Sequence, residues 1–343
     1  MITLIRVLIV VVVVCISASA QKKKSVPPPP VDQSRHRLEQ EVARLSMICG
    51  GVLGVTAIHV ESGKRFAQNG QTRFPMASSY KIPIAIQLLM RVDSGRYTLD
   101  QLIEVTNTDM HPGSGIISDR FSWPGAPQPG LALSVRSLME LMLLISDNSA
   151  TDICLRLAGG PASVNACMKR LGITGMSVDR PTSYLIADAM GIPMDPMQQW
   201  STVLFDSLEK GLTSEKLKTS RLAFDGDLRD TSTPDAMSEL LLKLYTQNIL
   251  KQESQVLLLD ILRRCETGLS RLKGLLPPNT EVLHKTGTIA MTANDVGIIV
   301  LPGDAGSLVI SIFTKSCEKP PSDRERSIAE VARVLHDYYV LNH

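Results

Sequence analysis

The chain has 343 residues, 44% of them hydrophobic and 20% charged, which suits one large globular domain or two interleaved ones. Its net charge of +2 lacks the basic excess that phosphate contacts require, so no nucleic-acid partner is expected. Its cysteines have no metal-site spacing, and neither metal nor cofactor is expected.

In chain order, residues 1–20 read as an export signal: Arg6, an apolar run from Val7 to Ile16, then Ser17-Ala18-Ser19-Ala20 suited to a signal peptidase. The run is short for a membrane span, so a mature chain starting near Gln21 is expected in the periplasm or outside the cell, with no transmembrane segment. Residues 21–34, with Lys22-Lys23-Lys24 and Pro27-Pro28-Pro29-Pro30, read as an extended basic tether. Five cysteines follow, Cys49, Cys154, Cys167, Cys265 and Cys317; the odd number leaves at least one unpaired, and buried free thiols are the simplest reading.

Leu38, Val42 and Leu45 predict an amphipathic helix from Asp32 to Met47, ended by Gly50-Gly51. Val52 to Val60 and Arg65 to Asn69 predict a hairpin, and an apolar helix runs from Ser78 to about Val92. The middle is largely helical, interrupted at His111 to Gly115 and at Trp123 to Gly130. Val135 to Ile145 forms a helix leading into Ser146-Asp147-Asn148, and two more span Ser149 to Leu157 and Ala162 to Leu171. Strands are expected at Thr280 to His284, just before Lys285-Thr286-Gly287, then at Asp295 to Leu301 and Ser307 to Phe313. A tight hairpin at Gly303 to Gly306 joins the last two, and a helix from Ser322 to Leu341 closes the chain. This order predicts an α/β fold in which both termini build one sheet (about 35–75 and 278–343) and the helical lobe (about 76–277) is inserted, with the site in the cleft between.

Ser78 and Lys81 carry the first chemical signal. A serine hydroxyl is a weak nucleophile until a base is held within reach, and positions i and i+3 of a helix are neighbours. A helix start adds free N–H groups and a positive dipole end, favouring a neutral lysine and developing negative charge. The same spacing recurs at Ser207 to Lys210 and Ser270 to Lys273, which read as solvated helix faces.

In this order, Ser78-x-x-Lys81, Ser146-Asp147-Asn148 and Lys285-Thr286-Gly287 resemble the motifs of the penicillin-recognising serine enzymes, and of class A β-lactamases in particular. Gly226 to Pro234 resembles the segment closing the class A omega loop, and Leu157 to Pro161 that family's helix break. The resemblance spans Arg35 to His343 and implies a β-lactamase/transpeptidase-like fold: a five-stranded antiparallel sheet flanked by helices, plus an all-helical lobe. It implies Ser78 as nucleophile, Lys81 as its base or proton relay, and Ser146 as proton donor to the leaving lactam nitrogen. Asn148 would bind the substrate's acyl amide, while Lys285 and Thr286 would hold its carboxylate, joined by Arg271. Gly287 would let the strand approach the ligand, and the N–H groups of Ser78 and Thr288 would form the oxyanion hole. Asp147 reads as a buried structural acceptor.

One departure stands out. The class A omega loop carries R-x-E-x-x-L-N, whose glutamate activates the deacylating water. Here Arg180 and Leu185 match, but Thr182 stands for the glutamate and Ile186 for the asparagine. Threonine is no general base at neutral pH. An insertion from Ala187 to Asp225 brings Asp188, Asp195, Asp206, Glu209 and Glu215, any of which could replace it. The first expectation is therefore a monomeric exported serine β-lactamase that opens the lactam ring through a Ser78 acyl-enzyme. The alternatives are a penicillin-binding protein or D-alanyl-D-alanine peptidase acting on peptidoglycan peptide and deacylating slowly, or a sensor whose output is acylation or peptide binding.

Overall fold

The computed structural model describes residues 33–111, 113–120, 130–194 and 202–342. The export signal, nearly all of the tether, the loop from Trp123 to Pro129, Asp195 and the side chain of Asp206 lie outside the described residues.

Helix α1 (Gln33–Ser46) buries Leu38, Val42 and Leu45, the face expected from their spacing, each contributing about 2 kcal/mol by leaving water. A hairpin follows, β1 (Val52–His59) with β2 (Arg65–Gln68), then the two-residue strand β3 (Phe74–Pro75) and α2 (Lys81–Asp93). The middle of the chain holds β4 (Leu102–Glu104), α3 (Ile117–Arg120), β5 (Ala132–Ser134), α4 (Val135–Leu144), α5 (Asn148–Leu157) and α6 (Gly160–Arg170). Next come α7 (Thr182–Met190), α8 (Thr202–Glu209), α9 (Ser214–Gly226), β6 (Thr231–Ser232), α10 (Pro234–Thr246) and α11 (Gln252–Arg263). The C-terminal part is β7 (Val282–Ile289), β8 (Thr292–Val300), β9 (Ser307–Lys315) and α12 (Pro321–Asn342).

The five long strands form one antiparallel sheet in the order β2-β1-β9-β8-β7, so both ends of the chain meet in it as expected. Alternation along β9 divides its side chains between two cores. Leu308, Ile310 and Ile312 join α1 and α12 on one face, while Val309 and Phe313 join α2 and α10 on the other. The second core continues through α4, α5 and α11, and the catalytic-type motifs lie along its boundary with the sheet.

Four details differ from the sequence reading. Lys285-Thr286-Gly287 lies inside β7 rather than after it, because the strand stays paired with β8 past His284, through Lys285 opposite Val296 to Gly287 opposite Asn294. Ser78 sits on a 3-10 turn, Ala77–Tyr80, and the α-helix begins only at Lys81. The central segment includes two short pairings, β4 with β5 and β3 with β6, too brief for a periodic signal. Ser270 to Lys273 lies in turns over β7, with Arg271 buried, so it is no solvated helix face.

The segment leading into α7 is fastened by Arg180. Its Nε donates to Asp230 Oδ2 at 2.6 Å and its Nη1 to Asp227 and Asp188, and its guanidinium lies over the Phe224 ring. Asp230 also accepts from the amides of Asp179 and Arg180 at 2.7 and 3.1 Å. Asp230→Ala leaves a buried guanidinium and two amides without this acceptor, which costs about 3–5 kcal/mol; urea unfolding should show the midpoint falling, and an unchanged midpoint would contradict this anchoring role.

Candidate active site

Ser78 follows Ala77, whose φ of +46° puts a non-glycine residue in the left-handed region. Such a conformation is costly and persists only where its surroundings fix it. Here the Asn294 amide donates to Pro75 O at 2.8 Å and Met76 O at 3.0 Å, and Met76 N donates to Asp230 O at 2.9 Å. Ser79 adds its hydroxyl to Met76 O at 2.7 Å. Ser78 itself remains half-exposed at the start of α2.

Strand β7 presses on the same turn. A Cβ on Gly287 would lie 2.5 Å from Met76 O and 3.1 Å from Ser78 N. The missing side chain therefore makes room for the nucleophile's own backbone, a role in addition to the expected approach to a ligand. β7 is also the sheet edge, so alternate backbone groups of the strand point away from the sheet, and Thr288 is exposed there.

Lys81 is fully buried. Its Nζ donates to Ser146 O at 2.8 Å, Ser146 Oγ at 3.0 Å and Asn148 Oδ1 at 3.1 Å, bringing two of the three motifs to one nitrogen. Burial pushes the amine well below its ordinary range, and the neighbouring Lys285 charge pushes it further, against the opposing pull of Asp147 and Asp152. Its free-base form can therefore receive a proton. Ser146 has φ of +63°, a second strained residue, held by Ser114 Oγ donating to its carbonyl at 3.1 Å. Asp147 caps α5 through Ala150 N at 2.8 Å and accepts from Ile116 and Ile117 amides at 2.7 and 3.0 Å, the buried structural acceptor expected of it.

Lys285 is buried too, donating to Thr286 O at 3.1 Å, and burial lowers its ammonium to about 8. Thr286 Oγ1 lies 2.6 Å from Thr267 Oγ1. Arg271 reaches the end of β7, donating to Gly287 O and Asn294 O at 2.9 Å each and to Thr288 Oγ1 at 2.6 Å, while pairing with Glu325 at 3.0 Å. It is a buried prop for the strand.

Two residues absent from the expected site complete it. The Tyr80 hydroxyl is hydrogen-bonded to Thr182 Oγ1, and both side chains are buried. Burial holds the Tyr80 phenol well above its ordinary range, with the Asp152 charge adding to this, so it stays protonated. Asp152 fixes the start of α7 by accepting from Thr182 N at 2.6 Å and Ser183 N at 3.3 Å, and its other near neighbour is His111 Nε2 at 3.2 Å. Ile186 packs with Ala187, Ile192 and Phe205. Nothing in the sequence flagged Tyr80, since its partner is 102 residues away.

Among the described residues, the carboxylates between Ala187 and Asp225 are engaged elsewhere or exposed. Asp188 is engaged by Arg180 and Arg229, while Glu209 and Glu215 are exposed on α8 and α9. Asp225 accepts from Ser316 N at 2.6 Å.

A half-exposed serine on a strained turn, a buried amine of lowered basicity, a second serine on that amine and a cationic strand edge define a serine acyl-transfer site. Comparison with known proteins agrees. The family model described as "Beta-lactamase enzyme family" matches residues 37–339, and the chain belongs to that family. It is 29% identical over 298 residues to Beta-lactamase VEB-1 of Pseudomonas aeruginosa, covering 84% of this chain and 85% of that protein. It is likewise 29% identical over 294 residues to the carbapenem-hydrolyzing beta-lactamase KPC of Klebsiella oxytoca, covering 85% of each. Among solved structures, an ancestral class A beta-lactamase superposes with a TM-score of 0.71 at 29% identity, over 88% of this chain and 99% of that one. A beta-lactamase from Chitinophaga pinensis gives 0.69 at 28% identity, over 88% and 98%. The class A branch and its α/β fold are thus those of this chain.

Gly287→Ala should lower the rate of Ser78 acylation about 100-fold, because a displacement of the turn near 1 Å spoils the attack geometry. Stopped-flow acylation alongside circular dichroism checks this, and normal acylation by a folded variant would contradict the contact.

Proposed function

We propose that this chain is an exported, monomeric serine β-lactamase that opens the lactam ring through an acyl-enzyme on Ser78. The observation that carries the reading is the convergence of Ser146 Oγ at 3.0 Å and Asn148 Oδ1 at 3.1 Å on the buried Lys81 nitrogen, one turn from Ser78. Lys81 as free base takes the Ser78 proton while the serine oxygen attacks the lactam carbonyl. The N–H groups of Ser78 and Thr288 receive the negative charge that develops on the carbonyl oxygen. The proton then passes through Ser146 to the leaving nitrogen, which restores the neutral amine. Lys285 and Thr286 hold the substrate carboxylate and Asn148 its acyl amide. Arg271 acts on the carboxylate through Thr288, whose hydroxyl it orients. Residues 1–20 serve as the export signal and the basic stretch after them as a tether.

Deacylation is where this chain departs from its class. Thr182 and Tyr80 together form a neutral, mutually hydrogen-bonded pair, and Ile186 closes the neighbouring position with an apolar side chain. The regenerated Lys81 amine is then the base for the deacylating water, and hydrolysis is slow. An enzyme that acylates and stops is the second reading, and it would follow from the same pair if Lys81 did not serve as that base.

Mixing the protein with a chromogenic cephalosporin, while following absorbance and intact mass, separates the readings. Many turnovers per Ser78 are expected; a single lasting adduct supports the acyl-trap, and no adduct overturns both. Tyr80→Phe with Thr182→Glu removes the phenol that opposes Thr182 and supplies a carboxylate, and should accelerate deacylation by about 100-fold. An unchanged rate in the folded double variant would remove Thr182 from the position that limits deacylation.

The Lys285 ammonium binds carboxylate only while protonated, below its value of about 8. As pH rises through that value the cation is lost, so KM for a carboxylate-bearing lactam should climb while KM for its methyl ester stays flat. Parallel pH profiles of KM for both substrates test this, and identical profiles would exclude Lys285 as the carboxylate site.

A further inference from the structure

Outside the catalytic cleft, two of the five cysteines that follow Cys15 of the expected export signal lie together. Cys49 ends the 3-10 turn after α1, and Cys317 lies just beyond β9; both are fully buried and sit in the same apolar core, together with Leu53, Ile328 and Ala332. The strand register brings them together. β1 and β9 are paired from His59 opposite Leu308 down to Val52 opposite Lys315, so the residues before Val52 and after Lys315 leave the sheet at the same corner. The chains there are in contact: a Cβ on Gly51 would lie 2.5 Å from Lys315 O and 2.6 Å from Ser316 O, and one on Gly50 would meet the Lys319 side chain at 2.5 Å. Each thiol also has a nearby backbone acceptor, Ser46 O at 3.2 Å for Cys49 and Lys315 O at 3.4 Å for Cys317, and the two sulfurs are close enough to perturb each other's ionisation. That perturbation draws Cys49 down to about 7 in the finished fold.

The other three cysteines are separate. Cys167 has Met90 Sδ at 3.4 Å, Cys265 has Thr267 Oγ1 at 3.3 Å, and Cys154 is buried in the helical core beside Ile153 and Leu155.

We propose that Cys49 and Cys317, present as thiols in this structure, are a built-in cross-link site that closes to a disulfide when the chain folds in an oxidising environment. The oxidant is an external disulfide. The Cys49 thiolate attacks one of its sulfurs and expels a thiolate; the Cys317 thiolate then attacks the Cys49 sulfur of the mixed disulfide and expels the second. Two protein thiols are oxidised and one external disulfide is reduced to two thiols. Because both sulfurs are buried in the finished fold, closure belongs to folding or to local opening of the corner. The resulting bond ties the end of α1 to the end of β9. It leaves Cys154, Cys167 and Cys265 free, which accounts for the odd number. In the cell the bond depends on the export reading, whereas the chemistry does not, and the test separates the two.

The full chain, made in a reducing cytosol, is unfolded in urea and refolded with glutathione disulfide, then denatured and alkylated without reduction for peptide mapping. Cys49 and Cys317 should be unlabelled and recovered as one cross-linked peptide, with Cys154, Cys167 and Cys265 labelled. Labelling of both Cys49 and Cys317, or linkage of either to another cysteine, overturns the proposal. Chain isolated from cells expressing residues 1–343 is mapped in parallel; a bond formed on refolding but missing there leaves the cross-link standing and counts against passage through an oxidising compartment, and so against export. Wild type should lose several degrees of thermal midpoint in dithiothreitol, whereas Cys49→Ser and Cys317→Ser should be indifferent to the reductant while keeping β-lactam turnover. Equal reductant sensitivity in the variants would also overturn it.

Discussion

Much of the molecule depends on keeping one lysine dry. A primary amine in water is almost entirely protonated at neutral pH and useless as a base. The same amine enclosed by protein, with a second cation nearby, gives up its proton far more readily. Lys81 has both conditions, and satisfying its hydrogens takes backbone and side chains from another helix start, at Ser146 and Asn148. The strain at Ala77 and Ser146 is the local cost of that enclosure. It is sustained by Asn294 beneath the turn, Asp147 at the cap of α5 and Ser114 across the cleft.

The two lysines are coupled in purpose. Lys285 lowers the basicity of Lys81, and is itself drawn down by burial, so the charge proposed to receive an anionic substrate is the one that readies the base. A bound carboxylate would offset that field, so substrate binding and base strength are linked through electrostatics without any movement of the chain. Arg271, paired with Glu325 and set on two carbonyls of the strands, fixes the strand edge on which this linkage depends.

Much of this architecture is legible in the residues. Leu38, Val42 and Leu45 disclose α1 because a helix buries one face in three- and four-residue steps, and the β-branched, apolar run from Ser307 to Phe313 discloses β9. The three motifs disclose the site because each must present its side chains at fixed spacing. What escapes the reading is contact made over long separations. The role of Gly287 is visible only once β7 is seen against Met76, and the Tyr80 hydroxyl is unremarkable until Thr182 is brought to it. Arg271 resembles a surface residue in sequence, because burial of a guanidinium depends on Glu325 and on two strand carbonyls that arrive much later in the chain. The end of β7 is misplaced for a related reason: the strand is carried on past His284 through Lys285, Thr286 and Gly287 by its pairing with β8.

The contact between Gly287 and the turn of Ser78 has a bearing on how such an enzyme can change. The stretch of backbone proposed to face the substrate also braces the nucleophile, with Met76 O lying close to where a single methyl group would go. Adaptation to bulkier substrates by easing β7 outward would slacken the nucleophile at the same time. Variation in substrate range is therefore channelled away from the strand and into the segments around the cleft mouth.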